Sequence, residues 1–511
     1  MTLRSLGRFP VYPFLVAALP TIYFQEANFR MLGTWDGLRL TLLYWLVTLG
    51  LLLLGRLVWK DIHRAALVIG PLAVFLFLGQ KVGAAAAVAC LTMALGLGIL
   101  LKRRPVDVSR GSVPLNAMVF VLAAMPLVQT VLAARAQTPP VPTALFRDSL
   151  ELPTDPNGQQ PPDIYFLLLD GLGQPTYLEE EFDLPPKLVE GVLKERGFQV
   201  LRLAEANYPQ TALSLAATLN AGYIQELLEV PDPECADRHP LAELIADNRT
   251  ARTLRGIGYD VVTFPSGYPL TRMDNVTRIR HPLIDPGFLE YYTLEEGALP
   301  LIQTTLGRGP SDLSFAMRRG RLEYVFDHLG RAREGIPDSR PVFVFAHIMA
   351  PHPPFVFSRT GEGLSSRKPF AFADGNHWYD IHGRDGTPYY IMYSEQLTYV
   401  MKRLGEAVDD ILASSPRPPV IIVQGDHGPG SKMHHERPAY SDHRERMGIF
   451  SAWYAPPGVD LELAEGSTAV NTFPILFNAV FGARLPLADD RFYYARMSAP
   501  YAFLELKVKT D

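Results

Sequence analysis

The residues best placed by type and spacing to do chemistry fall in three short segments. Apolar residues 164–169 run into Asp170–Gly171, Tyr208–Pro209–Gln210 run into Thr211 and a helical stretch at 212–219, and apolar residues 420–423 run through Gln424–Gly425 into Asp426–His427–Gly428. A carboxylate, a hydroxyl and an Asp-His pair are the parts needed to hold one divalent cation beside a nucleophile. They imply a metal-dependent enzyme acting on a phosphate or sulfate ester. Asp170 alone could be a turn-forming residue before glycine; the same arrangement at Asp426–His427 argues for ligation instead. Oxygen ligands with one neutral imidazole suit Mn²⁺, the first choice, and also Zn²⁺ or Mg²⁺. Thr211 heads its helix, where it could simply cap free backbone N–H groups. The same position suits a nucleophile, because a helix N-terminus favours a phosphoryl anion and a metal-bound hydroxyl loses its proton more readily.

Alternating strand-like and helical runs must position these residues. Strands are predicted at 163–169, 198–203, 259–264, 341–347, 419–424 and 448–454, and helices at 185–196, 211–228, 241–256, 315–333, 392–414 and 470–481. Continuous apolar strands interleaved with helices predict an α/β fold, a central and mostly parallel sheet flanked by helices. Ligands of such sheets bind at the carboxyl ends of the strands. Residues 265–314, rich in Pro and Gly with little periodicity, are predicted to loop around the site. In helix 392–414, Tyr393, Leu397, Val400, Met401, Leu404 and Val408 recur at helical spacing and belong to the core.

The 511-residue chain changes character near residue 135. Apolar runs at 11–24, 40–58, 65–79, 83–101 and 113–134 approach the roughly 17–25 residues needed to cross a bilayer as a helix. With five crossings, Arg4, Arg8, Arg56, Lys60, Arg64, Lys102, Arg103, Arg104 and Arg110 fall on one side, and only Arg30, Arg39 and Lys81 stand out on the other. Merging the third and fourth runs would place 102–104 outside, against the preference of Lys and Arg for the cytoplasm. The basic start suggests a signal peptide, but no small-residue cleavage pattern follows the first run and more spans come after it. The prediction is a multi-pass protein of the cell membrane. It has a five-span α-helical domain at 1–135, a spacer at 136–162 and an extracytoplasmic catalytic domain at 163–511. Pro139, Pro140, Pro142, Pro153, Pro156, Pro161 and Pro162 make the spacer extended and semi-rigid. The bilayer is thus a partner, and the spans read either as a passive tether or as a grip on a lipid substrate.

A formal net charge of −5 carries no polyanion-binding signature, which excludes nucleic acid as a partner. Cys90 and Cys235 lie in different regions, so no internal disulfide is expected. Asn248–Arg249–Thr250 and Asn275–Val276–Thr277 fit the glycosylation pattern, which has meaning only in a eukaryotic source.

Asp170–Gly171, Thr211 ahead of its helix, His352 within Ala350–Pro351–His352–Pro353–Pro354–Phe355, and Asp426–His427–Gly428 together resemble the sulfatase-like branch of the alkaline phosphatase superfamily, over 163–485. With its amino-terminal spans, the chain most resembles membrane-bound lipoteichoic acid synthases and related phosphoglycerol or phosphoethanolamine transferases. The resemblance implies an alkaline-phosphatase-like fold and a metal held by Asp170, Thr211, Asp426 and His427. It also makes Thr211 the nucleophile of a covalent intermediate and sets His352 against the phosphate or leaving group as donor or general acid. Asp170 stands where lipoteichoic acid synthases use Glu; Asp is usual elsewhere in the superfamily. His347 divides between a substrate contact and a core histidine. Neither cysteine lies in a Cys/Ser-x-Pro-x-Arg motif, which disfavours the formylglycine mechanism of true sulfatases. A second metal would draw on Asp374, His377, His434, His435, Asp442 and His443, but no spacing assigns it and one metal is favoured. Asn376, Trp378 and Asp380, in an irregular region, and His434 and His435, in the polar segment 431–437, are candidates for binding a polar head group, with packed or surface loops as the alternative. The reading is a membrane-anchored phosphotransferase or hydrolase that acts on a lipid-linked or envelope phosphoester, a phospholipid or glycan, through phosphothreonine. A sulfate or phosphate monoesterase without formylglycine, or a non-catalytic binding domain, are the alternatives. Oligomeric state is not legible.

Overall fold

The computed structural model describes residues 9–33, 35–104, 106–136, 138–153, 161–384 and 386–507. Arg4, Arg8 and Pro156, used in the sequence reading, lie outside the described residues. The chain divides into two compact units. One comprises Met1–Gln137, Pro286–Ser314 and Ser365–Phe370; the other comprises Thr138–Asp285, Phe315–Leu364 and Ala371–Asp511.

In the first unit the apolar runs form helices α1 (Tyr12–Ala27), α2 (Leu38–Trp59), α3 (Ile62–Leu78), α4 (Ala84–Arg103) and α5 (Ser112–Arg135). By length and composition, three of them (α2, α4 and α5 with its preceding turn) can cross a membrane. Helices α1 and α3 have 16 and 17 residues, about 24–26 Å of rise, so the expected count of five spans depends on two short helices. Burial accounts for the difference. Ala17, Ala65, Ala66 and Ala73 of α1 and α3 are wholly enclosed, whereas Leu46, Leu54 and Leu57 of α2 and Leu95 and Ile99 of α4 face outward. Small residues let the inner helices approach closely: a Cβ on Gly70 would stand 2.7 Å from the Tyr12 ring.

Part of the segment predicted as loops belongs to this unit. Helices Phe288–Glu296 and Leu299–Thr305 form there. Tyr292 stacks on Phe24 at 5.3 Å, Leu289 is buried in the helix-bundle core, and the Ala298 N–H donates to Leu76 O at 2.9 Å. Arg39 pairs with Glu290, and Lys81 with Glu296 at 2.7 Å. Two of the basic residues at the less basic end of the bundle are thereby matched by carboxylates. Helices this short show no clear period in sequence, and packing rather than propensity stabilises them.

The second unit is built on a seven-stranded sheet. Its strands in chain order are β1 (Ile164–Leu169), β2 (Gln199–Leu201), β3 (Asp260–Phe264), β4 (Arg278–Ile279), β5 (Val342–Ile348), β6 (Val420–Gly425) and β7 (Ser451–Tyr454). They lie in the order β2-β7-β6-β1-β5-β3-β4, all pairs parallel except those made by β7. This is the mixed, mostly parallel sheet expected, with β1, β5 and β6 buried throughout at its centre. Asp163 fixes the start of β1: its carboxylate accepts from Val342 N at 3.0 Å and pairs with Arg333, and its carbonyl accepts from Val420 N at 2.8 Å. The register places Leu169 opposite both Ile348 and Gly425. The chain therefore leaves β1 and β6 at one level, and Asp170 and Asp426 emerge side by side.

Four other expectations need correction. The predicted helix 241–256 breaks at Asp247–Asn248 into His239–Ala246 and Arg249–Gly256. The predicted helix 211–228 breaks at Ala221, which adopts φ 49°, into α6 (Thr211–Asn220) and a turn of helix at Ile224–Leu227. Val141–Pro142 of the supposed spacer pairs with Leu228–Glu229, and Phe146 is buried, so this stretch is paired and packed rather than free-standing. The region around Trp378, read as irregular, is the helix Gly375–His382.

Candidate active site

Asp170 sits one residue past β1, with Gly171 at φ 74° making the turn that follows. Its Oδ2 faces His347 Nε2 at 3.3 Å, while its Oδ1 is buried with no hydrogen-bond partner. Asp426 sits one residue past β6; its Oδ1 accepts from Gly171 N at 3.0 Å and its Oδ2 is likewise buried without a partner. His427 donates from Nδ1 to Gly428 O at 3.0 Å, which leaves the Nε2 lone pair directed inward. That nitrogen stands 3.3 Å from Asp426 Oδ2, 3.7 Å from Asp170 Oδ1 and 3.2 Å from the Thr211 hydroxyl.

These residues fit a divalent cation. Buried carboxylate oxygens almost always have partners; here two orphans lie 3.7 Å and 3.3 Å from one imidazole nitrogen, and each of the three residues offers a ligand atom within 4.8 Å of the others. A third buried carboxylate, Asp374, lies in the same site and pairs with the Arg446 guanidinium at 2.7 Å, whereas no Lys or Arg pairs with Asp170 or Asp426 among the described residues.

Thr211 is the first residue of α6. The helix is capped from Gln210, and no side-chain cap bond forms. Its hydroxyl meets His427 instead of serving the backbone. Gln210 is held by its own bonds: its Nε2 donates to Ala495 O at 2.7 Å and its Oε1 accepts from Arg238 at 3.0 Å.

Arg446, which lies in a charged stretch at 443–446, is not singled out by the sequence. It is buried in the short helix His443–Met447. Its Nε donates to Pro209 O at 2.8 Å, its Nη1 to Asp374 Oδ2 at 2.7 Å and Gly428 O at 3.1 Å, and its Nη2 to His427 Nε2 at 3.1 Å. Asp374 accepts a further bond from Tyr389 OH at 2.8 Å. Gly430 is required beside it, because a Cβ there would come within 2.3 Å of Asp374 Oδ1.

His352 donates from Nδ1 to Pro353 O at 2.6 Å, and its Nε2 lies 4.0 Å from Asp374 Oδ2. His347 is buried, held between Asp170 and Thr271 Oγ1 at 2.9 Å, so it orients a candidate ligand from behind. Burial alone would raise the Asp170 carboxyl, but His352 and His347 outweigh it and hold the group well below the usual range. Asp374 is depressed likewise, against burial, by Arg446 and His352. Burial and then Arg446 push His427 down, keeping it neutral as a ligand must be.

The remaining candidates stand differently. His435 is buried, donates from Nε2 to Asp374 O at 3.1 Å and stacks on His377 at 4.7 Å; burial and Arg446 push its imidazole down to about 4. Asn376 Oδ1 accepts from His435 N at 2.9 Å, tying the two segments together. His434 accepts at Nδ1 from Glu436 N at 3.3 Å within its own turn. Trp378 is buried, stacked on His382 at 4.4 Å and packed against Phe355 and Tyr389, and Asp380 is exposed. Among the described residues, Asp170, Asp426 and His427 are the one carboxylate-histidine group close enough to share an ion.

No family model and no curated protein sequence matches the chain. Solved structures are similar to it. The integral membrane protein lipooligosaccharide phosphoethanolamine transferase A (EptA) from Neisseria meningitidis is 11% identical, with 94% of this chain and 95% of that one covered and a TM-score of 0.41. The C-terminal periplasmic domain of EcEptC from Escherichia coli, in complex with Zn, is 9% identical over 70% of this chain and 96% of its own, at a TM-score of 0.41. BT1596, a 2-O GAG sulfatase, is 12% identical over 67% and 74%, at 0.39. The structures similar to this chain thus include phosphoethanolamine transferases and a sulfatase.

Proposed function

We propose that this chain is a membrane-anchored, metal-dependent phosphotransferase or hydrolase that acts on a lipid-linked or envelope phosphoester through a phosphothreonine intermediate. The observation that carries the reading is the convergence of the two orphan oxygens, Asp170 Oδ1 and Asp426 Oδ2, with His427 Nε2 and the Thr211 hydroxyl. Asp170, Asp426, His427 and Thr211 would hold one divalent cation, Mn²⁺ by the balance of oxygen over nitrogen, with Zn²⁺ the closest competitor. When bound, such a cation favours loss of the hydroxyl proton and offsets charge on the phosphoryl group. Thr211 supplies the attacking oxygen, aimed by the first turn of α6, whose free N–H groups favour the anion that forms. His352, with Nε2 turned toward Asp374, is the donor on the leaving-group side. A hydroxyl of a glycan, a lipid or water then releases the group from Thr211. The apolar helices would hold the protein in a bilayer, and the basic residues at the α2–α3 and α4–α5 connections support a cytoplasmic end there with an extracytoplasmic catalytic domain.

The test is to incubate the purified full-length protein, with Mn²⁺ or Zn²⁺, with phosphatidylethanolamine or phosphatidylglycerol vesicles and, separately, with p-nitrophenyl phosphate and sulfate. Mass spectrometry then identifies any group on the Thr211 peptide. A phosphoester-derived adduct on Thr211 is expected with the lipids. Sulfate-ester turnover alone, or no bound metal and no adduct, overturns the reading.

A further inference from the structure

Arg446 has no part in the chemistry above, yet it is the most tightly specified charged side chain near Thr211. Two of its bonds fix the guanidinium to the segments that carry Thr211 and His427, and a third ties it to Asp374. Pro209 lies two residues before Thr211, Gly428 directly follows His427, and Asp374 is locked in turn by Tyr389. The fourth bond is of another kind. Nη2 donates to His427 Nε2 at 3.1 Å, the same nitrogen that the Thr211 hydroxyl approaches at 3.2 Å. This is the lone pair that His427 would offer to a cation. Once it is so used, Nη2 loses that acceptor, while the guanidinium stays anchored through Nε and Nη1, and Nη2 remains near Thr211 Oγ1 because both contact the same imidazole nitrogen. A buried N–H without an acceptor is costly, and a phosphoryl oxygen at Thr211 supplies one in place of the imidazole nitrogen. The fixed planar fork suits a tetrahedral oxyanion.

We propose that Arg446 is an anion-recognition residue, binding a non-bridging oxygen of the phosphoryl group at Thr211, and that the site it forms takes inorganic phosphate as well as phosphate esters. The proposal rests on Thr211 as the position that carries the phosphoryl group. Arg446 exchanges an imidazole acceptor for a phosphoryl oxygen, and no bond within it is made or broken.

The experiment compares the parent with Arg446→Lys and with the double variant Asp374→Asn/Arg446→Gln, which avoids leaving Asp374 as an unpaired buried charge. Bound metal per chain, melting temperature, inorganic phosphate affinity by calorimetry on the metal-loaded protein, and inhibition by orthovanadate are measured for each. Loss of a fixed charge-assisted donor is expected to weaken phosphate binding at least about tenfold and vanadate inhibition by more, with metal content unchanged. In turnover, kcat falls more than KM rises. Phosphate affinity within about twofold of the parent, in whichever variant keeps its metal, overturns the proposal. So does loss of metal in step with phosphate in both variants, which marks a purely structural role. Thr211→Val, measured alongside, separates this result from the function reading: it abolishes any adduct but leaves the dependence of phosphate binding on Arg446 in place.

Discussion

Replacing Thr211 with Val separates the two roles that the sequence allows this residue, because Val keeps the branched shape and removes the hydroxyl. A threonine that caps its helix costs about 1–2 kcal/mol when its oxygen is lost. Here α6 is capped from Gln210 with no side-chain bond, and the Thr211 oxygen makes a single contact, 3.2 Å from His427 Nε2. The stability loss expected from one such bond is under about 1 kcal/mol, and the melting temperature should change little. Turnover behaves oppositely. Removing an attacking oxygen that works with its neighbours as a unit costs about 10⁴-fold or more in kcat, roughly 5.5 kcal/mol of barrier. Thr211→Ser keeps the oxygen and should retain activity within about tenfold of the parent. The assay is hydrolysis of p-nitrophenyl phosphoesters by the purified full-length protein, with metal content and thermal melts recorded on the same samples. A Thr211→Val protein that keeps more than about a tenth of parental kcat with its metal in place refutes the nucleophile. A large drop in melting temperature with activity lost only in proportion would return Thr211 to a capping role.

Two further outcomes test the surroundings of the site. His435 is buried with its imidazole held down to about 4, whereas in the unfolded chain it titrates near about 6.5. Below that value the unfolded state binds the extra proton, so the contribution is complete above about pH 6.5 and is lost as pH falls toward 4, by at most roughly 3 kcal/mol. In denaturation measured across this range, His435→Gln should flatten the acid limb, and an unchanged slope would refute the assignment. Asp163→Ala removes the buried partner of Arg333, leaving it the exposed Asp338 at 3.4 Å, and removes the acceptor for Val342 N, for an expected loss of about 3 kcal/mol. Glu395→Ala, which breaks the exposed pair with Arg359, should cost at most about 1 kcal/mol; equal melting temperatures for the two variants would contradict the argument.

The sequence by itself determined the strands that end in Asp170 and Asp426, the helix that begins at Thr211, and the apolar helices of the first unit. Each is a local matter. A buried strand must be apolar along its length, a ligand must follow it, and hydrophobic runs of near-bilayer length need no tertiary partner to be recognised. Only the tertiary structure decided the rest. Register between β1 and β6 set the two carboxylates side by side, and parallel pairing across hundreds of residues leaves no local trace. Leu289 and Tyr292 had no legible period until α1 gave them a surface to pack on. Trp378 resembled a head-group contact until Phe355, Tyr389 and His382 enclosed it. Nothing in the sequence marks Arg446, because burial is a property of what surrounds a residue. Its bonds to Pro209, Asp374 and Gly428 come from three parts of the chain that meet only in the fold.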